Sequence, residues 1–143
     1  MPKISEAKAR ALLSRPLYCE CDVAWAPRKK QNAWRLTGGV VDEAGRGTHM
    51  FVQLDYTHLT KPPLTKFLFS VFIDNGFTTD RVYQLEVVQA LRAPKDRHSH
   101  SHEHIGDQRV SGHALWQQWD YDEALAYFCA QTHIAFIPVP SRP

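Results

Sequence analysis

The alternation of apolar and polar positions changes period along the chain, and each change marks an element. Ala7, Ala9, Ala11, Leu12 and Leu13 favour a helix running to about Ser14. Ser5 suits its N-cap, and Arg15-Pro16 stops it. From Tyr18 the period drops to two, so Cys19, Cys21, Val23 and Trp25 share one face of a strand. Residues 27–32 read as a basic loop. Trp34 to Val41 is a second strand, joined through a turn with two glycines to His49–Tyr56, where Met50, Val52, Leu54 and Tyr56 share a face. Lys61-Pro62-Pro63 interrupts the pattern. Leu64 to Ile73 is dense in Phe, Leu and Val and predicts a central strand. Its antiparallel partner is Arg81–Leu91, beyond the turn residues Asp74-Asn75-Gly76.

Later in the chain, Asp120 and Glu123 have the spacing of a capping box. Tyr121, Ala124, Leu125 and Phe128 then form one apolar helical stripe. Residues 133–139 read as a short extended segment. These elements predict an α+β fold: a curved antiparallel sheet of about five or six strands with two helices packed against it. At 143 residues the chain is expected to form a single domain, 1–143.

Composition narrows the function classes. Hydrophobic residues at 43% and charged residues at 22% exclude global disorder. A chain of this size buries about two-thirds of its surface and needs no disulfide framework. The net charge of +2 removes any whole-molecule electrostatic case for nucleic-acid binding and leaves only a local basic patch. There is no run of about 18 apolar residues to span a membrane and no signal-peptide pattern. The three cysteines cannot all pair within one chain, so a reducing, cytoplasmic setting is expected. Cys19 and Cys21 are closer together than zinc-knuckle ligands and read as buried thiols.

The unusual feature is histidine. Of eight in the chain, four alternate in RHSHSHEH as His98, His100, His102 and His104. On a strand all four rings point one way, about 6.5–7 Å apart at the backbone. Such a row can be a solvated polar segment, or it can hold a divalent transition metal such as zinc. A third use is catalysis. His102 and His104 are followed by Gly106, Asp107 and Arg109. Two imidazoles can act as acid and base in phosphodiester cleavage by the ribose 2′-hydroxyl. Arg109 would stabilise the phosphate, with Lys95 or Arg97 flanking it, and Asp107 would orient a ring. Arg28, Lys29 and Lys30 form a basic patch beside Trp25 and Trp34, suited either to single-stranded nucleic acid or to a solvated loop. His113 lies near Trp116 and Trp119, while His133 follows the second helix, where a structural role is expected.

The order of parts from Val82 to Phe128 resembles the small bacterial toxins of the TumE type and related proteins of toxin–antitoxin and mobile-element loci. Paired strands lead into a segment carrying His100, His102 and His104, then a turn, then a helix opened by acidic residues. The chain departs from that pattern in lacking a proline-flanked histidine pair, since Ser99 and Ser101 separate the histidines. The resemblance implies a cytoplasmic protein acting on RNA or on a partner antitoxin. Three functional expectations therefore stand. The first is a metal-independent ribonuclease of toxin type, without a cofactor. The second is a histidine-cluster metal-binding domain. The third is a non-catalytic interaction module that uses Trp25, Trp34, Trp116 and Trp119 as exposed anchors.

Overall fold

The structure, a computed structural model, describes residues 4–20, 24–30, 32–90 and 101–143. Cys21, Val23, Lys95, Arg97, His98 and His100 lie outside these, so the expectations placed on them do too. Helix α1 (Glu6–Leu12) is capped by Ser5, whose hydroxyl accepts from the Lys8 amide. Strands β1 (Leu17–Glu20) and β2 (Ala26–Pro27) follow, then β3 (Ala33–Val41) and β4 (Gly47–Thr60). Next come β5 (Pro63–Asp74), β6 (Thr79–Ala90), β7 (His102–Ile105) and β8 (Gln108–Ser111). A short 3-10 helix (Ala114–Gln118), α2 (Tyr121–Thr132) and β9 (Ile134–Ile137) complete the order.

All nine strands among the described residues join one sheet, in the order β8-β7-β6-β5-β4-β3-β1-β9, with β2 beside β3. The pairings are antiparallel except β1 with β9, which run parallel. The α+β class holds, but nine strands replace the expected five or six. Of the strand expected from Tyr18 to Trp25, β1 covers Leu17–Glu20 among the described residues, and Trp25 lies in no strand. The additional strands β2, β7, β8 and β9 have two to four residues each, and of these the sequence marks only the His102–His104 alternation of β7 and the extended segment that holds β9. The long strands β4, β5 and β6 are where the expected alternation is met. Lys61-Pro62, an interruption in sequence, is the tight turn between β4 and β5, and its peptide bond is cis.

One face of the sheet is the core. Leu36, Val52, Leu54, Phe69, Val71 and Leu85 are buried there, beneath the α2 stripe of Tyr121, Ala124, Leu125 and Phe128. Phe69 meets Tyr121 and Phe128 edge-on, each at a centroid distance of 5.9 Å. The expected capping box is formed: Asp120 accepts from the Glu123 amide and Glu123 from the Asp120 amide. Helix α1 buries Ala9 in the same core cluster, with Leu13 just beyond its end. Trp116 is buried, and Trp25, Trp34 and Trp119 pack half-buried against the core. The four tryptophans are therefore not the exposed anchors expected. Trp25 donates to the Ser141 carbonyl, and Trp116 stacks on Trp119 at 4.9 Å, because indole area is worth most when removed from water.

A bulge in β6 sets what the other face displays. Val71 opposes Tyr83 and Phe72 opposes Arg81, leaving Val82 as the extra residue. Val82 and Tyr83 are both buried, and the phase change carries Arg81 to the polar face.

Candidate functional site

Strands β7 and β8 form a hairpin through Gly106-Asp107. Gly106 has a φ of +58°, and a Cβ there would overlap the Ser5 carbonyl. Only glycine fits a turn pressed so closely against the segment ahead of α1. The Gly106 amide also donates to the Val82 carbonyl at 2.8 Å, which fixes the hairpin to β6.

Alternation then sorts the side chains. Glu103 and Ile105 point into the core, and His102 and His104 point to the polar face. His102 lies opposite Glu86 on β6, with its Nδ1 3.2 Å from Glu86 Oε2. The other Glu86 oxygen is 2.8 Å from Lys66 Nζ. The two imidazoles meet edge-on at 4.9 Å between centroids. His102 is 6% exposed, and His104 is half-buried. The Glu86 carboxylate thus faces Nδ1 and leaves Nε2 on the far side of the ring. Arg109 on β8 lies directly across from His104.

Asp107 is exposed in the hairpin turn, where its carboxylate accepts from Gln108 Nε2 at 3.3 Å. The carboxylate against an imidazole is thus Glu86 rather than Asp107. Sequence reasoning missed Glu86 because its place opposite His102 depends on strand register, which no short-range pattern encodes.

The hairpin is one end of a continuous polar face. One row of cross-strand partners runs Arg35, Asp55, Leu68, Glu86, His102. The next runs Thr37, Gln53, Ser70, Gln84, His104, Arg109. Gln84 Nε2 donates to Ser70 Oγ at 2.9 Å, and Gln53 Nε2 donates to Asp55 Oδ2 at 3.2 Å. At the far end Arg35 Nε donates to Asp55 Oδ1 at 2.7 Å, and Arg28 Nη1 is 3.6 Å from the same oxygen.

Arg28, Lys29 and Lys30 are exposed there and, with Arg35 and Thr37, line an open groove of ≈ 750 Å³. Four strand spacings, about 19 Å, separate this groove from the histidines. The structure therefore puts both predicted groups on one face, at opposite ends of the same rows.

The remaining predicted groups lie elsewhere. His113 is the N-cap of the 3-10 helix, with its ring 6.4 Å from Trp116. His133 is the left-handed C-cap of α2 and hydrogen-bonds the Leu13 carbonyl, the structural role expected of it. Cys19 is buried in the core, and burial pushes the Cys129 thiol up to about 11. Among the described residues no group of three or more His, Cys, Asp or Glu is placed to hold a metal ion. A separate pocket of ≈ 260 Å³ lies on the core side, lined by Leu13, Tyr83 and Ile105 together with Arg10, Gln131 and His133. No helix among the described residues is long and apolar enough to cross a membrane. Comparison of the chain with protein-family models, with curated proteins and with solved structures found no match.

Proposed function

We propose that the chain is a small RNA-directed domain whose polar sheet face binds RNA and whose β7–β8 hairpin cleaves it without metal. The observation that supports this reading is the line Glu86–His102–His104 with Arg109 across from His104. His104, the more exposed ring, takes the proton of the ribose 2′-hydroxyl. The 2′ oxygen attacks phosphorus, the bond to the 5′ oxygen breaks, and His102 gives that oxygen a proton. Glu86 orients His102, the role an acid plays behind a histidine base. Arg109 faces the charge gathering on the phosphate. Arg28, Lys29, Lys30 and Arg35 supply phosphate contacts away from the reacting bond. A toxin-type role, a cytoplasmic setting and an antitoxin partner belong to this proposal through the resemblance of residues 82–128.

The test is cleavage of end-labelled mixed RNA in excess chelator. Wild type is expected to cut, and His104→Ala to lose about 10²-fold or more of the rate with its circular dichroism unchanged. Glu86→Gln is expected to fall between the two. A His104→Ala protein that cuts at the wild-type rate overturns the assignment, and so does cleavage that stops when chelator is added.

A further inference from the structure

The row beyond the two polar ones runs Gly39, Phe51, Phe72, Arg81 across β3, β4, β5 and β6. It places two aromatic rings on the face opposite both helices. Phe51 and Phe72 are direct cross-strand partners, with centroids 5.5 Å apart and planes inclined by 32°. Both are half-buried.

Their flanks differ in a useful way. Beside Phe51, Gly39 carries no side chain, and a Cβ added there would meet nothing within 4 Å. Beside Phe72 stands Arg81, whose Nη1 donates to Gln84 Oε1 at 3.3 Å while its buried Nε has no hydrogen-bond partner. The row thus reads as an open shelf, two rings and a cation. Phe72 is one pleat from Ser70, and Ser70 is two strands from His104, so ring and imidazole are roughly 12 Å apart at the backbone.

We infer that Phe51 and Phe72 form a stacking subsite for the bases of unpaired RNA, which the same face delivers to His104. The inference rests on the RNA reading proposed above. Aromatic rings on a solvent-side sheet face accept any base by its flat surface, and only unpaired bases can offer that surface. Charge on this face suits a polyanion. Arg35 and Lys66 are ion-paired to the carboxylates Asp55 and Glu86, and Arg81 and Arg109 add a surplus of two cations on the strands. A cross-strand Phe pair that served only to hold the sheet would need no vacant flank.

The experiment is fluorescence anisotropy with the full chain and two probes. One is a labelled oligouridine with 2′-O-methyl groups, which cannot be cleaved through the 2′ oxygen. The other is an abasic oligomer of the same length. Leucine keeps apolar bulk in the sheet and removes the ring. Phe51→Leu and Phe72→Leu are each expected to weaken oligouridine binding by about fivefold or more and leave abasic binding unchanged. If both variants bind oligouridine as wild type does, the stacking subsite is overturned and the RNA reading stands. If wild type binds neither probe at low salt, the RNA reading fails, and the subsite with it. If duplex RNA competes as well as the single strand does, the preference for unpaired bases is overturned.

Discussion

Glu103 stands between His102 and His104 in sequence and faces the opposite way. It is 6% exposed and accepts hydrogen bonds from Tyr83 Oη at 2.6 Å and from Tyr127 Oη at 3.1 Å. Neighbouring side chains of one four-residue strand therefore work on opposite faces of the sheet, the histidines on the polar one and Glu103 in the core. Glu103→Leu is expected to strand the buried Tyr83 hydroxyl away from water and to cost roughly 1–3 kcal/mol in urea unfolding, while the half-buried Tyr127 hydroxyl adds less. Glu103→Gln keeps an acceptor and is expected to cost less. A Leu variant as stable as wild type would mean that the hydroxyls find other partners. At this scale the sequence was legible wherever a rule is local. The histidine alternation, the Ser5 cap, the Asp120–Glu123 box and the cap position of His133 all depend on near neighbours. Glu86 was not legible, because its pairing with His102 spans a register set by β6 against β7.

Strands show the same division by length. β4, β5 and β6 each carry enough residues for alternation to be read, and their partners follow from the turns between them. β7 and β8 have four residues each and carry a single β-branched residue apiece, Ile105 and Val110, among His, Glu, Gln, Arg and Ser. β9 pairs with a strand from the far end of the sequence, which no turn announces. The β6 bulge is likewise hidden from sequence: simple alternation puts Arg81 with Tyr83 on the core face, and one extra residue reverses it. Gly39 on β3 gives this scale its prediction. Its surroundings are open, so Gly39→Thr is expected to stabilise β3 by up to about 1 kcal/mol, read as a raised melting temperature. The same threonine would fill the shelf beside Phe51 and weaken oligouridine binding. A lowered melting temperature would show that the strand does not accept a side chain there.

For the molecule as a whole, the core-side tyrosines tie stability to pH. Burial and the neighbouring Glu103 charge raise Tyr127 from an ordinary value of 10.0 to about 12, and they raise Tyr83 further still. The folded chain then holds these protons more tightly than the unfolded one. The stabilisation is complete below pH 10 and is lost as pH rises toward 12 and beyond. Urea midpoints measured across this range are expected to fall, and Tyr127→Phe is expected to flatten the first part of the fall. A midpoint that stays level in wild type would mean that the tyrosines titrate alike in both states.

The parallel pairing of β1 with β9 has a consequence in time. During synthesis Leu17–Glu20 leaves the ribosome long before Ile134–Ile137, and until then β1 is an uncovered edge. Ser5, against which the Gly106 turn rests, must likewise wait for the hairpin. A chain translated only as far as β6 therefore has neither β9 nor a seated histidine hairpin. Under the proposed activity, a nascent chain cannot cut the message that encodes it before β7 and β8 have emerged and docked.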